Sequence, residues 1–342
     1  MKEFSEILRA SAARPDEWCA LATLVRTRGS SYRRPGTRML VTRDGQITGA
    51  ISAGCLEEDV ARVARDVIRS GEAQLVSYDT RRLYGCDGSI DVLVERMSTD
   101  GEWFRLARAC PRERKAGLSL TIFAAEETAS LGSFSLGGAG GQCSREEIEE
   151  IARDAAPRLL SHGNESALLA LLQPPVRLVI AGANYDAVPL AELARGLGWD
   201  TIVLARTTDN LTAFRETQVF PVAEPGEYSF VPDARTAFVI MTHHYGRDFA
   251  FLRHLLPLPL GYIALMGPKR RREQLLSALF EDLNGLEPSD LRALRSPAGL
   301  DIGAQTPEEI ALSIAAEIQG VMAASHLPLE MPTAFEAAPV AA

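Results

Sequence analysis

The chain has 342 residues, 46% of them hydrophobic and 24% charged, with a formal net charge of −9 at neutral pH. That length suits two domains with sizeable cores, and the acid excess argues against a nucleic-acid-coating role or a broad anionic-membrane surface. No apolar run is long enough for a bilayer span; the longest candidate, residues 255–267, is broken by Pro257, Pro259 and Gly261.

Residues 2–12 read as an amphipathic helix carrying acids rather than as the basic, apolar start of a secretory signal, which predicts a cytoplasmic protein. The cysteines at 19, 55, 86, 110 and 143 form an odd set with no Cys-x-x-Cys pair, so neither a disulfide framework nor a zinc ribbon is expected. Residues 19–27 read as a strand, and 29–36 as a loop punctuated by Ser, Pro and Gly. Segments 38–42 and 47–51 flank Asp44-Gly45, a hairpin signal. After Cys55, the residues Leu56, Val60, Val63, Ala64 and Val67 keep helical spacing up to Gly71. Strands are predicted over 73–79, 89–96 and 118–126, helices over 101–110 and 144–160, and a Gly-rich loop over 135–143. Hairpins mixed with helices predict an α+β domain over residues 1–172.

Pro174-Pro175 marks a natural boundary. Residues 176–209 then run strand, Gly turn, helix, strand, one βαβ unit. The alternation continues with strand 236–243, helix 248–256, strand 261–267 and helix 269–280. A last helix starts at a Thr306 cap, with Pro307 at its first position and Glu309 completing a capping box. Continuous apolar strands in this setting predict a Rossmann-like, doubly wound parallel sheet over 176–326, followed by a loose Pro- and Ala-rich tail over 327–342. The expected fold class is α/β, an N-terminal α+β domain followed by the Rossmann-like domain.

The Gly turn is an incomplete dinucleotide fingerprint. Gly182 and Ala187 fit its first and third positions, but Asn184 stands where a second glycine would let the backbone approach a pyrophosphate. The second strand ends in Ala205-Arg206 instead of the acid that would hold a ribose. A Rossmann scaffold without NAD(P) is therefore the expectation. The alternative is an NAD(P)-dependent oxidoreductase with His243 as acid/base and Arg206 on a 2′-phosphate. Neither His-Glu-x-x-His nor a P-loop occurs, which leaves a zinc hydrolase and an ATPase unsupported.

Residues 29–60, 241–256, 261–276 and 297–318, in that order, resemble the XdhC/CoxI family, the maturation factors of xanthine and carbon monoxide dehydrogenases. The resemblance implies a protein that binds and protects the molybdenum cofactor, as molybdopterin or its dinucleotide form. It also implies support of cofactor sulfuration, with a cysteine desulfurase as sulfur donor, and delivery to an apo molybdenum hydroxylase. That is a carrier and chaperone rather than a turnover enzyme. A homodimer fits the family, and neither nucleic acid nor membrane is an expected partner. The chain departs from the family pattern at Asn184, at Ala205-Arg206, and at Cys86-Asp87-Gly88, where Cys-Gly-Gly is common.

A molybdopterin carries phosphate, a polar pterin and a dithiolene-bound metal, and so calls for cations, backbone donors and a soft sulfur ligand. Arg33, Arg34 and Arg38 around Pro35-Gly36 supply guanidinium forks. Gly54 and Cys55 precede a helix whose dipole lowers a thiol pKa, while Glu57 and Glu58 oppose that effect; Cys55 is the expected soft contact to molybdenum. Gly182 stands at the Rossmann turn, and His243 matches the family's histidine after Met-Thr. Lys269 and Arg270 open a helix at a strand's carboxyl end, where cations oppose the macrodipole unless an anion is near. Asp248 is equally well read as a helix N-cap, Asp301 as a loop anchor, and Cys19 and Cys110 as core filler.

Overall fold

The computed structural model describes residues 2–79, 88–126, 130–135, 143–206, 211–214, 217–222, 224–283, 287 and 291–329. The chain divides into two compact units, residues 2–174 together with 328–329, and residues 175–327. Among the described residues no helix is long and apolar enough to cross a membrane.

In the first unit, α1 (Lys2–Ala12) precedes a five-stranded antiparallel sheet of β1 (Trp18–Gly29), β2 (Arg38–Thr42), β3 (Ile47–Gly49), β4 (Gln74–Asp79) and β5 (Gly88–Ser98), in the order β3-β2-β1-β5-β4. β1 is buried on two sides, which is why it reads as a continuous apolar run. Ala20, Ala22 and Leu24 pack with Val60, Val63, Ala64 and Val67 of α2 (Glu57–Ser70). Cys19 and Leu21 pack with Ile7 of α1 and with Trp103, Phe104 and Ala107 of α3 (Glu102–Glu113).

A second, four-stranded antiparallel sheet contains β6 (Gly117–Ala124), β7 (Gly132–Ser135), β8 (Arg158–His162) and β9 (Glu165–Leu172), in the order β7-β6-β9-β8. It packs Leu118, Leu120 and Ile122 against Ile148 and Ile151 of α4 (Arg145–Asp154). The helix expected over 144–160 is thus two elements. Ser144 forms the capping box with Glu147, but Ala155 turns left-handed (φ 53°) and Pro157 carries no N–H to continue a helix. The chain then enters a hairpin whose turn follows the His162–Glu165 pair, with Gly163 at φ 58°.

The second unit is a six-stranded sheet of β10 (Arg177–Ala181), β11 (Asp200–Ala205), β12 (Gln218–Pro221), β13 (Thr236–Ile240), β14 (Tyr262–Leu265) and β15 (Leu294–Arg295). Its order is β12-β11-β10-β13-β14-β15, with every pairing parallel. One face packs on α5 (Ala187–Gly196) and α8 (Pro307–Ala323), through Leu190, Ala194, Ile314 and Ile318. The other packs on α6 (Tyr245–Leu255) and α7 (Lys269–Asp282), through Phe251, Leu255, Leu275 and Leu279. The expected α/β class with a Rossmann-like, doubly wound parallel sheet is what the structure shows. Strand order reverses between β10 and β13, where such sheets open a crevice beyond the carboxyl ends.

Candidate functional site

The register pairs Ala181 with Ile240 and Ile240 with Leu265, so the chain leaves three adjacent strands at one edge. Gly182 leaves β10 at φ 123°, and a Cβ there would lie 2.5 Å from the Met241 carbonyl oxygen. The Asn184 side chain donates to that same carbonyl at 2.8 Å. The residue at the second fingerprint position is therefore tied into the fold, and Gly182 is required by close strand packing. Asp186 is the N-cap of α5 without capping it; its Oδ2 meets His243 Nε2 at 2.7 Å. The other oxygen, Oδ1, is buried and has no hydrogen-bond partner among the described residues. His243 adopts a left-handed backbone (φ 54°) and keeps its ring half exposed at the crevice. His244 caps α6, its Nδ1 accepting from the Arg247 N–H.

Asp248 is accordingly not the helix cap. It is buried within the first turn of α6 and accepts from Thr242 Oγ1, from Arg271 Nε at 3.1 Å and from Arg271 Nη2 at 2.6 Å. This pair spans 23 residues of sequence, and no local pattern announces it. Arg271 is engaged there, whereas Lys269 and Arg270 stand exposed at the start of α7, which has no acid in its first turn. Asp301 is exposed and is not the anchor expected of it. Its loop is held instead by Glu317 of α8, which accepts from the Gly299 N–H at 3.0 Å and the Tyr262 hydroxyl at 2.6 Å. Burial and this carboxylate push the Tyr262 phenol well up.

In the first unit, the turn before α2 is folded around Ser52. Its hydroxyl oxygen accepts from the N–H groups of Gly54 (3.2 Å), Cys55 (3.0 Å) and Leu56 (3.2 Å), and it donates to Glu57 at 2.7 Å. Glu57 also accepts from the Ser52 and Leu56 N–H groups. Burial pushes the Glu57 carboxyl up, but these bonds outweigh it and hold the group below the usual carboxylate range. Gly54, at φ 106°, has open space where a Cβ would stand, and Cys55 is exposed. The other described thiols are buried, and burial drives Cys19 and Cys143 up to about 12 and Cys110 to about 11. Cys86 lies outside the described residues.

The three arginines expected together separate. Arg34 is exposed, and Arg33 is paired with Glu3. Arg38 belongs to the interior: it donates to Ser119 Oγ at 3.1 Å and to the Gly36 carbonyl, and lies over the Trp103 ring at 5.0 Å. Burial lowers its pKa to about 10. A side chain whose donors point inward to Ser119 and Gly36 is a structural arginine, which corrects the expectation of a ligand contact there. Among the described residues no group of three or more His, Cys, Asp or Glu side chains is placed to hold a metal.

Residues 178–318 match the XdhC Rossmann domain, and residues 12–79 match the XdhC and CoxI family. The chain is 32% identical over 323 residues to a probable xanthine dehydrogenase subunit of Bacillus subtilis, covering 88% of this chain and 92% of that protein. The chain belongs to the XdhC and CoxI family. It is also 24% identical over 307 residues to the molybdenum cofactor insertion chaperone PaoD of Escherichia coli, covering 88% of this chain and 82% of that one. A crystal structure of a xanthine dehydrogenase from Bacillus halodurans matches with a TM-score of 0.72 at 27% identity, covering 94% and 96% of the two chains. The XdhC and CoxI match includes Arg33, Arg34, Gly54 and Cys55, and the XdhC Rossmann match includes Gly182, His243, Lys269 and Arg270.

Proposed function

We propose that this chain is a carrier and insertion chaperone for the molybdenum cofactor, serving a xanthine dehydrogenase-type hydroxylase. The observation that carries the reading is Cys55: an exposed thiol on a turn already shaped by Ser52, in a chain similar to the insertion chaperone PaoD over 88% of its length. A soft sulfur suits molybdenum, and guanidinium and ammonium groups suit phosphate and pterin oxygens. Cys55 is the molybdenum contact, with Gly54 leaving room beside it and Arg34 and Arg33 supplying cations. In the Rossmann-like unit, Lys269 and Arg270 take anionic oxygens and His243, oriented by Asp186, takes a polar edge. The cargo is molybdopterin or its dinucleotide form, sulfurated with a cysteine desulfurase as sulfur donor and delivered to the apo-hydroxylase.

The NAD(P)-dependent oxidoreductase reading is less well supported. A pyrophosphate at the start of α5 would meet the Asp186 carboxylate, a charge that the positive helix end already favours. Asn184 adds a side chain where that site calls for bare backbone.

The test is to isolate the protein from cells that make molybdenum cofactor, measure bound molybdenum, and assay transfer to an apo-hydroxylase. Bound molybdenum and transfer are expected, with both lost in Cys55→Ala while circular dichroism stays unchanged. A thiol-labelling time course on the intact chain would show the loss of one fast-reacting cysteine in that variant. Absence of co-eluting molybdenum and of transfer in the unsubstituted protein would refute the reading, and saturable micromolar NADPH binding would favour the oxidoreductase.

A further inference from the structure

Beyond the Ser52 turn, the C-terminal two-thirds of α2 carries Arg62, Arg65 and Arg69 at spacings of three and four, which places them along one helix face. With Arg43 they line an open groove of about 750 Å³, whose remaining wall includes Trp18, Ile68 and Asp66. Four cations against one acid is a local inversion in a chain whose net charge is −9. Like charges at these helical spacings repel one another. Arg62 and Arg69 are partly neutralised by Asp59 and Asp66, in exposed pairs. Arg43 and Arg65 have no acidic partner among the described residues.

The apolar part of the groove is equally distinctive. Of the three tryptophans, Trp103 and Trp199 are buried, whereas Trp18 is 51% exposed. The Arg96 guanidinium sits 4.6 Å from the Trp18 ring and presses so close to Gly71 that a Cβ there would lie 2.5 Å from it. An exposed tryptophan among arginines is the composition that protein interfaces concentrate at their energetic centres.

We propose that this groove docks an acidic peptide segment bearing an apolar side chain, presented by a partner protein. Arginine forks receive the carboxylates, and Trp18 and Ile68 receive the apolar group. The spacing favours an extended chain: Arg65 and Arg69 are about 6 Å apart along the helix axis, and carboxylates two residues apart on an extended peptide are about 6.6 Å apart. A long polyanion would meet the acidic remainder of the surface, whereas a short segment feels mainly the charges within a Debye length of the groove. The inference rests on α2, β1 and the β2–β3 turn and is independent of whether the chain carries a cofactor.

The experiment uses the full chain and a short fluorescein-labelled peptide rich in Glu with one central Phe, followed by fluorescence anisotropy. Saturable binding is expected, weakening as salt rises and falling by about tenfold or more in Arg43→Glu/Arg65→Glu. Arg65→Gln should fall between the two, and all variants should keep the unsubstituted far-ultraviolet circular dichroism. Peptide binding should also shield tryptophan fluorescence from acrylamide, an effect lost in Trp18→Phe, where the shielded ring is gone. Four results would overturn the proposal: no saturable binding, equal binding of the peptide with Gln for Glu, unchanged affinity in the charge-reversed variant, or displacement by oligo-dT or inorganic pyrophosphate as effectively as by unlabelled peptide.

Discussion

Truncating Asp248 to alanine removes a carboxylate that is 1% exposed and holds three side-chain donors, one from Thr242 and two from Arg271. Removing one partner of a buried ion pair costs about 3–5 kcal/mol, because the other charge is left uncompensated. The Arg271 side chain is 25% exposed, so its freed guanidinium regains some water, and the low end, about 3 kcal/mol, applies. At about 2–4 °C per kcal/mol for a folded unit of this size, the melting temperature of the Rossmann-like unit should fall by about 6–12 °C. Differential scanning calorimetry of the full chain would measure the shift. Asp248→Asn should cost less, since it keeps an acceptor for Thr242. In a double-mutant cycle, adding Arg271→Met to Asp248→Ala should recover part of the loss, because no unpaired cation remains. A drop below about 2 °C, or a coupling energy near zero, would refute the reasoning that this pair clamps the first turns of α6 and α7.

Two further outcomes are expected. Gly182→Ala should destabilise the Rossmann-like unit by about 2 kcal/mol or more in urea titration, since it combines a φ of 123° with a contact of 2.5 Å to the Met241 carbonyl; a loss under about 0.5 kcal/mol would contradict the close-packing role. Acid stability should depend on Asp91, which is buried beside Arg26 at 2.6 Å and Arg28 at 3.4 Å. Burial pushes its carboxyl up, but the Ser77 and Arg26 hydrogen bonds and both guanidiniums hold it below the ordinary value. The unfolded chain therefore binds this proton first: the contribution is present above about pH 4 and is lost as pH falls through the lower folded value. Melting curves across that range should fall more steeply for the unsubstituted protein than for Asp91→Asn, and parallel curves would exclude the effect.

Much of the fold follows from local pattern, and what does not is long-range. The second unit is legible because its strands are continuous apolar runs separated by helices of regular period, which is what burial between two helical layers produces. A helix through Pro157 fails because apolar Leu159 and Leu160 fit either period, and only Pro157 and the Gly163-Asn164 turn signal the hairpin. Arg38 reads as a surface fork because its partners Trp103 and Ser119 lie far along the chain, and no spacing rule links them. The same holds for Asp248 with Arg271 and for Glu317 with Gly299. Cys55 stands out in the sequence for its small-residue turn. Ser52, which shapes that turn, lies in the same string, but its bonds to three successive amides are a matter of geometry.

The Ser52 turn has a consequence for anything that meets Cys55. Its amides already have an acceptor inside the turn, so the segment holds its shape without a guest. The ordering cost of roughly 1–2 kcal/mol per residue is met when the chain folds and not when a guest arrives. Those same amides are closed to a visiting anion, unlike the open backbone of a phosphate-cradling loop. Negative charge brought to this thiol has to be answered by side chains, and the turn itself contributes position alone.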